Sequence, residues 1–176
     1  MSISSAARRV ARLLKANSRK VVFAESCTGG LVSGALTAIP GISDHHCGGM
    51  VVYRNETKTV YLDIPAKIIQ DFGPVSARVT ELMARKVLEK TPEADVAVAV
   101  TGHLGPNAPS KLDGQVFAVV AWRDTTGLGL PISRLMSKFL QCRRSDSRLV
   151  RQRWVVEQVL DLLANELEAA SRDDDE

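Results

Sequence analysis

A chain of 176 residues, 45% hydrophobic and 24% charged, is long enough for one globular domain with a sizeable core. The formal net charge of +3 is too small to indicate a nucleic-acid partner by itself. No apolar run approaches the roughly 20 residues of a membrane helix, and the first ten residues lack the apolar core of a signal peptide. The three cysteines are widely spaced and odd in number, so we expect free thiols and a cytoplasmic protein.

The first three predicted elements lie before and after a serine, Ser26, in the chain. Periodicity predicts an amphipathic helix over residues 3–16 and a buried strand over 21–24. The next helix is predicted over 28–37, with two glycines at its N-terminus and Pro40-Gly41 at its end.

The remaining elements alternate in type. They are a strand over 49–53, a helix capped by Asn55 through Leu62, a helix over 65–72, a helix capped by Ser76 through Lys90, strands over 95–101 and 115–122, an edge strand over 131–140 and a closing helix over 146–170. This order predicts an α/β fold, a three-layer α/β/α sandwich with a mixed, mostly parallel sheet, as a single domain over 1–176. The loops 25–30, 53–58 and 101–114 then share one edge of the sheet, where ligands usually bind.

Ser26 lies at the turn between the first strand and Gly29-Gly30. Its hydroxyl sits beside a helix N-terminus, whose free N–H groups favour an anion or a developing oxyanion. A plain helix cap explains the same spacing, and neither a GxSxG elbow nor a Walker A pattern is present. Ser26 is therefore a candidate nucleophile with a structural alternative.

A serine nucleophile needs a base. The candidates are three histidines and one lysine: His45, His46, His103 and Lys58. A lysine base must be neutral, and with a pKa near 10.4 only about one molecule in a thousand is neutral at pH 7. Burial or a nearby cation lowers that pKa. We expect Arg54 to help and Glu25 and Glu56 to oppose the shift.

The tetrapeptide Asp44–Cys47 spells DHHC, the signature of protein palmitoyltransferases. Those enzymes span membranes and carry a cysteine-rich zinc region. This sequence has no apolar run of membrane-spanning length and only three cysteines, so we reject this interpretation. Neighbouring side chains rarely converge on one ion, and we therefore predict no metal site.

Between Arg134 and Arg153 there are seven basic residues and one acid, and the last four residues are all acidic. The acidic tail is predicted to be a frayed, solvated end. The basic stretch has three open interpretations: a solvated helix surface, a substrate-phosphate site or an RNA contact.

Together, the segments from Val22 to Pro106 resemble the C-terminal domain of CinA, the competence- and damage-inducible protein family. That domain also occurs alone as nicotinamide-nucleotide amidase, and we expect this chain to be such a stand-alone form, without the nucleotide-processing N-terminal domain of full-length CinA. The resemblance rests on Ala24-Glu-Ser-Cys-Thr-Gly-Gly30, Gly48-Gly-Met-Val-Val-Tyr53 followed by Asn55-Glu56 and Lys58, Gly73-Pro-Val-Ser76, and Thr101-Gly102 with Gly105-Pro106.

The resemblance implies hydrolysis of nicotinamide mononucleotide to nicotinic acid mononucleotide and ammonia, without a metal or organic cofactor. It implies Ser26 as nucleophile, Lys58 as base and Tyr53 as a hydrogen-bonding partner. The implied substrate-binding residues are Thr28, Gly29, Gly30, Asn55, Thr101, Gly102, Gly105 and Arg148. A small-molecule nucleotide and a homo-oligomer are the expected partners, with no membrane or nucleic acid.

The chain departs from the family pattern in three places. The loop GPDGG becomes Gly105–Pro109, and His103 replaces a small or apolar residue. The Gly-Asp-Arg before the last helix becomes Ser145–Ser147, so Arg148, shifted by one residue, is the expected phosphate ligand, with Arg143 or Arg144 as substitutes. These departures keep a second function open, a nucleotide-binding paralogue without catalysis.

Overall fold

The strands form one five-stranded sheet in a computed structural model, which describes residues 2–124 and 132–173. The strands are β1 (Val21–Glu25), β2 (His46–Val51), β3 (Val96–Gly102), β4 (Gln115–Arg123) and β5 (Ile132–Gln141). Their order is β2-β1-β3-β4-β5. β1 pairs parallel with β2 and β3, whereas β4 and β5 extend the sheet in antiparallel pairs.

Six helices cover the two faces of the sheet. They are α1 (Ile3–Ala16), α2 (Leu31–Thr37), α3 (Asn55–Leu62), α4 (Ala66–Phe72), α5 (Ala77–Lys90) and α6 (Arg148–Asp173). No helix in the described ranges is both long and apolar enough to cross a membrane.

Alternation along the strands builds two separate cores. Phe23 of β1 and the valines of β3 pack with α1, α2 and α6, whereas Ala24 and the alanines of β3 pack with α3, α4 and α5. Successive side chains point to opposite faces of a sheet, so one buried strand supplies both layers. The predicted α/β/α sandwich with a mixed sheet is confirmed.

Two predicted boundaries near the first strand move for local reasons. α2 begins at Leu31 instead of Thr28, because Gly29 and Gly30 have φ angles of 65° and 95°, which an α-helix excludes. β2 covers His46–Val51 instead of 49–53, because its pairing with β1 starts where His46 faces Val21.

Two helix starts also differ. Arg54, not Asn55, occupies the N-cap position of α3, where the Thr57 hydroxyl accepts from the Arg54 N–H at 3.2 Å. α6 begins at Arg148 instead of Asp146, since Ser147 Oγ accepts from the Val150 N–H. The predicted Pro131 strand start and residues 174–176 of the acidic tail lie outside the described residues.

Candidate active site

A cavity of about 380 Å³ opens at the carboxyl ends of β1 and β3 and beside the segment that follows β2. Eight predicted site residues line it: Ser26, Tyr53, Asn55, Lys58, Thr101, Gly102, Gly105 and Arg148. The three predicted loops therefore do meet at this edge of the sheet. Of the predicted site residues, only Thr28, Gly29 and Gly30 lie outside the lining.

Ser26 and Lys58 meet at the base of this cavity. Lys58 has only 1% of its surface exposed and Ser26 has 7%. Lys58 Nζ donates to Ser26 Oγ across 3.4 Å and to the carbonyl oxygen of Val52 at 2.9 Å. The Val52 carbonyl thus holds the amine against the hydroxyl.

Burial lowers the pKa of the Lys58 amine, and the Cys27 thiol opposes that shift. Arg54, the cation expected to help, is instead ion-paired with Glu56 at the surface. Glu25 points into the N-terminus of α2, away from Lys58. Desolvation alone therefore favours the neutral amine, which a general base requires.

The glycine turn does not present its N–H groups to the cavity. The Gly30 N–H donates to Glu25 Oε2 at 3.0 Å, and the Gly29 N–H donates to the Ser26 carbonyl at 3.1 Å. The Thr28 hydroxyl donates to Glu25 Oε2 at 2.6 Å. The expectation that Gly29 and Gly30 offer free donors to an anion is wrong, because the Ser26 carbonyl accepts from Gly29 and the Glu25 carboxylate accepts from Gly30.

Two donors at the turn remain. The N–H groups of Cys27 and Thr28 make no hydrogen bond to another described residue, and Cys27 lines the cavity. Their carbonyls accept from the side-chain amide of Gln152 on α6, at 3.1 and 3.4 Å. The last helix thus holds the turn in place through the Gln152 side chain.

The residues at the end of β3 have mainly structural contacts. The Thr101 hydroxyl donates to the Pro74 carbonyl at 3.3 Å. A Cβ on Gly102 would lie 2.5 Å from Val116 Cγ2, so only glycine fits between β3 and β4. Gly105 has a φ of 61°, in the left-handed region, and faces the Arg151 guanidinium.

Tyr53 and Arg148 form the rim of the cavity. Tyr53 is 57% exposed, and its hydroxyl accepts from Arg148 Nη2 at 2.9 Å. Arg148 Nη1 donates to the Gly105 carbonyl. The predicted shift by one residue therefore brings an arginine to the cavity mouth.

A second cavity of about 530 Å³ adjoins the first across Gly105–Ala108. Arg144, Arg148 and Arg151 line it, whereas Arg143 does not. Arg151, only 5% exposed, forms a bidentate pair with Asp113, and Arg144 donates to the Ser110 carbonyl. A freely solvated surface is thus the wrong interpretation for Arg151, whereas Arg144 and Arg148 are exposed.

Among the candidate bases, only Lys58 is hydrogen-bonded to Ser26 in the described part of the chain. His45 Nδ1 donates to the Arg19 carbonyl, and His46 accepts from the Gly48 N–H and donates to Ser33 Oγ, all near the start of β2. His103 lines the cavity, but the described part of the chain holds no hydrogen bond from its ring. Burial lowers the pKa of His103, opposed by Asp113. No cluster of three His, Cys, Asp or Glu suited to a metal occurs in residues 2–124 and 132–173.

Three features of the site were not predicted from the sequence: the Glu25 carboxylate at the start of α2, the Arg151–Asp113 ion pair, and the contact of Gln152 with the turn. A carboxylate directly before a glycine turn and a helix was the available signal for Glu25. The other contacts join residues 38 and 125 positions apart, for which no local signal exists.

The family model of the CinA C-terminal domain matches residues 3–167. The chain belongs to the CinA C-terminal domain family. A CinA-like protein of Desulfotalea psychrophila is 49% identical over 49% of this chain. A CinA-like protein of Thermotoga neapolitana is 41% identical over 61% of this chain. The matches cover 21% and 27% of those relatives, so this CinA domain spans roughly a quarter of their length.

Solved structures of the CinA family have the same fold. The competence/damage inducible protein CihA from Agrobacterium tumefaciens is 30% identical, with a TM-score of 0.84 over 94% of this chain and 95% of that one. A CinA superfamily protein from Klebsiella pneumoniae, 23% identical, has a TM-score of 0.85 over 96% of this chain and 99% of that one. The second likeness concerns the fold alone.

Proposed function

We propose that this CinA domain is a serine amidase that converts nicotinamide mononucleotide to nicotinic acid mononucleotide and ammonia. The observation that carries the proposal is the buried Lys58 amine, 3.4 Å from Ser26 Oγ in a cavity. Burying a lysine without a carboxylate partner is unfavourable unless the amine is neutral, and a neutral amine is a base. If Ser26 served only to cap the helix, no buried lysine amine would be required beside its hydroxyl.

Each residue has a role in the proposed reaction. Neutral Lys58 takes the proton of Ser26 Oγ while the oxygen attacks the carboxamide carbon. The N–H group of Cys27, which lines the cavity, is the proposed donor for the tetrahedral oxyanion. Protonated Lys58 gives the proton to the departing nitrogen, the C–N bond breaks, ammonia leaves, and an acyl ester remains on Ser26. Water, deprotonated by Lys58, then attacks the ester carbonyl; the bond to Ser26 Oγ breaks, Lys58 returns the proton to that oxygen, and nicotinic acid mononucleotide is released.

Arg148 is the proposed ligand of the substrate phosphate, with Arg144 beside it in the second cavity. A guanidinium forms charge-assisted hydrogen bonds to phosphate oxygens. Tyr53 holds Arg148 from the opposite side of the cavity mouth. The carboxamide would thus enter the first cavity while the phosphate stays at the boundary between the two.

The altered loop favours a second candidate, a nucleotide-binding paralogue without turnover. Residues 107–109, where the chain departs from the family pattern, line the first cavity, so the substrate contacts differ even where Ser26 and Lys58 are retained.

The test is ammonia release from nicotinamide mononucleotide by the purified protein, alongside Ser26→Ala and Lys58→Ala. Matched controls are Ser43→Ala and Lys86→Ala, which lie outside both cavities. We expect both controls to resemble the wild type and both site variants to lose activity by at least about a hundredfold. Activity that survives in Ser26→Ala rules out the nucleophile, and binding without ammonia supports the paralogue.

A further inference from the structure

Glu25 is a buried carboxylate that the proposed reaction does not use. It is the last residue of β1, and only 1% of its surface is exposed. None of the ion pairs in the described part of the chain involves it. An unpaired buried charge is strongly unfavourable, so the groups around Glu25 must compensate for it.

Four donors surround this carboxylate. Oε2 accepts from Thr28 Oγ1 at 2.6 Å and from the N–H groups of Gly30 and Val32 at 3.0 and 3.2 Å. Oε1 accepts from the Ser33 N–H at 2.8 Å. Three of these are the otherwise unpaired N–H groups at the start of α2. The helix N-terminus is therefore filled by an anion from the strand before it.

This arrangement closes a loop around Ser26. Glu25 joins the end of β1 to the first turn of α2, while the Ser26 N–H donates to the Val100 carbonyl at 3.0 Å and its carbonyl accepts from Gly29. The turn is thus held at both ends and in the middle. The Ser26 backbone thus has little freedom to move away from Lys58.

We propose that Glu25 is a positioning residue: it holds the Ser26 turn so that the hydroxyl faces Lys58 and the Cys27 N–H stays free for the oxyanion. The inference rests on the proposed serine amidase function. It also assigns the N-terminus of α2 to an internal carboxylate, so the substrate's phosphate binds elsewhere. Glu25 acts through Ser26 and does not touch the substrate.

The variant Glu25→Gln tests this role, because an amide replaces one acceptor oxygen with an NH₂ group that faces an N–H donor. The matched control is Glu56→Gln, an exposed glutamate on α3. The first readout is the rate at which a fluorophosphonate labels Ser26, followed by mass spectrometry. In that reaction Ser26 Oγ bonds to phosphorus, fluoride leaves and the hydroxyl proton passes to Lys58.

We expect labelling of Glu25→Gln to be at least about tenfold slower than that of the wild type and of Glu56→Gln, because small displacements of a reacting group cost large rate factors. The second readout is turnover of nicotinamide mononucleotide, where kcat should fall in the same proportion with little change in KM. A merely structural role would lower the melting temperature and leave the labelling rate of the folded protein unchanged.

Thr28→Val removes one of the four hydrogen-bond donors to Glu25 and replaces Glu25→Gln in the test if that variant does not fold. We expect Thr28→Val to slow labelling of Ser26 by a smaller factor. Equal labelling of the wild type and the folded variant overturns the role of Glu25 alone. A wild type that is neither labelled nor active removes the nucleophile, and the proposed function fails with it.

Discussion

Arg148 Nη2 donates to the Tyr53 hydroxyl at 2.9 Å, and this bond joins the start of α6 to the segment between β2 and α3. The two residues lie 95 positions apart in the chain. Their contact closes the rim of the cavity above Ser26 and Lys58. It leaves the guanidinium between the proposed amide site and the second cavity.

Arg148→Gln should raise KM for nicotinamide mononucleotide about tenfold to a hundredfold, because a hydrogen bond to a charged group contributes roughly 1.5–3 kcal/mol. The value of kcat should change less. Steady-state kinetics with the riboside, which lacks the phosphate, separates the effects, since only the nucleotide should lose affinity. Arg153→Gln, on the same helix and outside both cavities, is the control. An unchanged KM excludes Arg148 as the phosphate ligand.

The pH dependence of kcat/KM should report the neutral fraction of Lys58. Burial lowers the pKa of this amine from its ordinary value of 10.5, so activity should rise with pH and level off with a midpoint below that value. Lys58→Arg should be inactive throughout, since a guanidinium does not lose its proton. A midpoint at or above 10.5, or a profile that does not depend on pH between 6 and 10, contradicts the base assignment.

Gly102→Ala should reduce the free energy of unfolding by about 1–3 kcal/mol, as overpacking does in a tight core. The added methyl would lie 2.5 Å from Val116 Cγ2 and 3.0 Å from the Gln115 carbonyl oxygen. Gly34→Ala is the matched control: nothing lies within 4 Å of its added Cβ, and alanine should stabilise the helix by roughly 0.5–1 kcal/mol. Urea unfolding measures both, and equal effects would contradict the packing argument.

Asp113→Asn should lower the melting temperature at pH 7, because it leaves the largely buried Arg151 guanidinium without its carboxylate. The hydrogen bond from Arg151 lowers the pKa of Asp113, so the pair contributes stability above the pKa of an unfolded aspartate. That contribution disappears as the pH falls through the lower, folded value.

Thermal unfolding of the wild type and Asp113→Asn should therefore converge as the pH is lowered from 7 to below 3.8, the ordinary pKa of aspartate. Asp71→Asn, which breaks only an exposed pair with Lys67, should show little difference from the wild type at either pH. A gap between wild type and Asp113→Asn that is independent of pH would show that the carboxylate charge is not the cause.

Local patterns in the sequence were sufficient to predict the sandwich and the shared edge of the sheet. Alternating buried strands and capped helices carry that information, and Ser76 caps α5 as predicted. The proximity of Ser26 and Lys58 followed from the parallel order of β1 and β2, which brings their carboxyl ends together. No pattern of residues specifies how deeply Lys58 is buried.

The direction of the Glu25 carboxylate was not predictable from spacing. It depends on Gly29 and Gly30 both adopting positive φ, which turns the first N–H groups of α2 back toward β1. The same glycine spacing suits an external anion equally well. Which of the two anions is bound is decided by tertiary geometry.

The proposed nucleophile and its proposed base come from the first third of the chain, whereas the arginines of the second cavity come from α6 and the segment before it. Substitutions in the 103–113 loop and at positions 144–148 thus alter which amide is admitted without disturbing the hydrolytic pair. A mutant library restricted to those two stretches is the economical route to new substrate preferences on this scaffold.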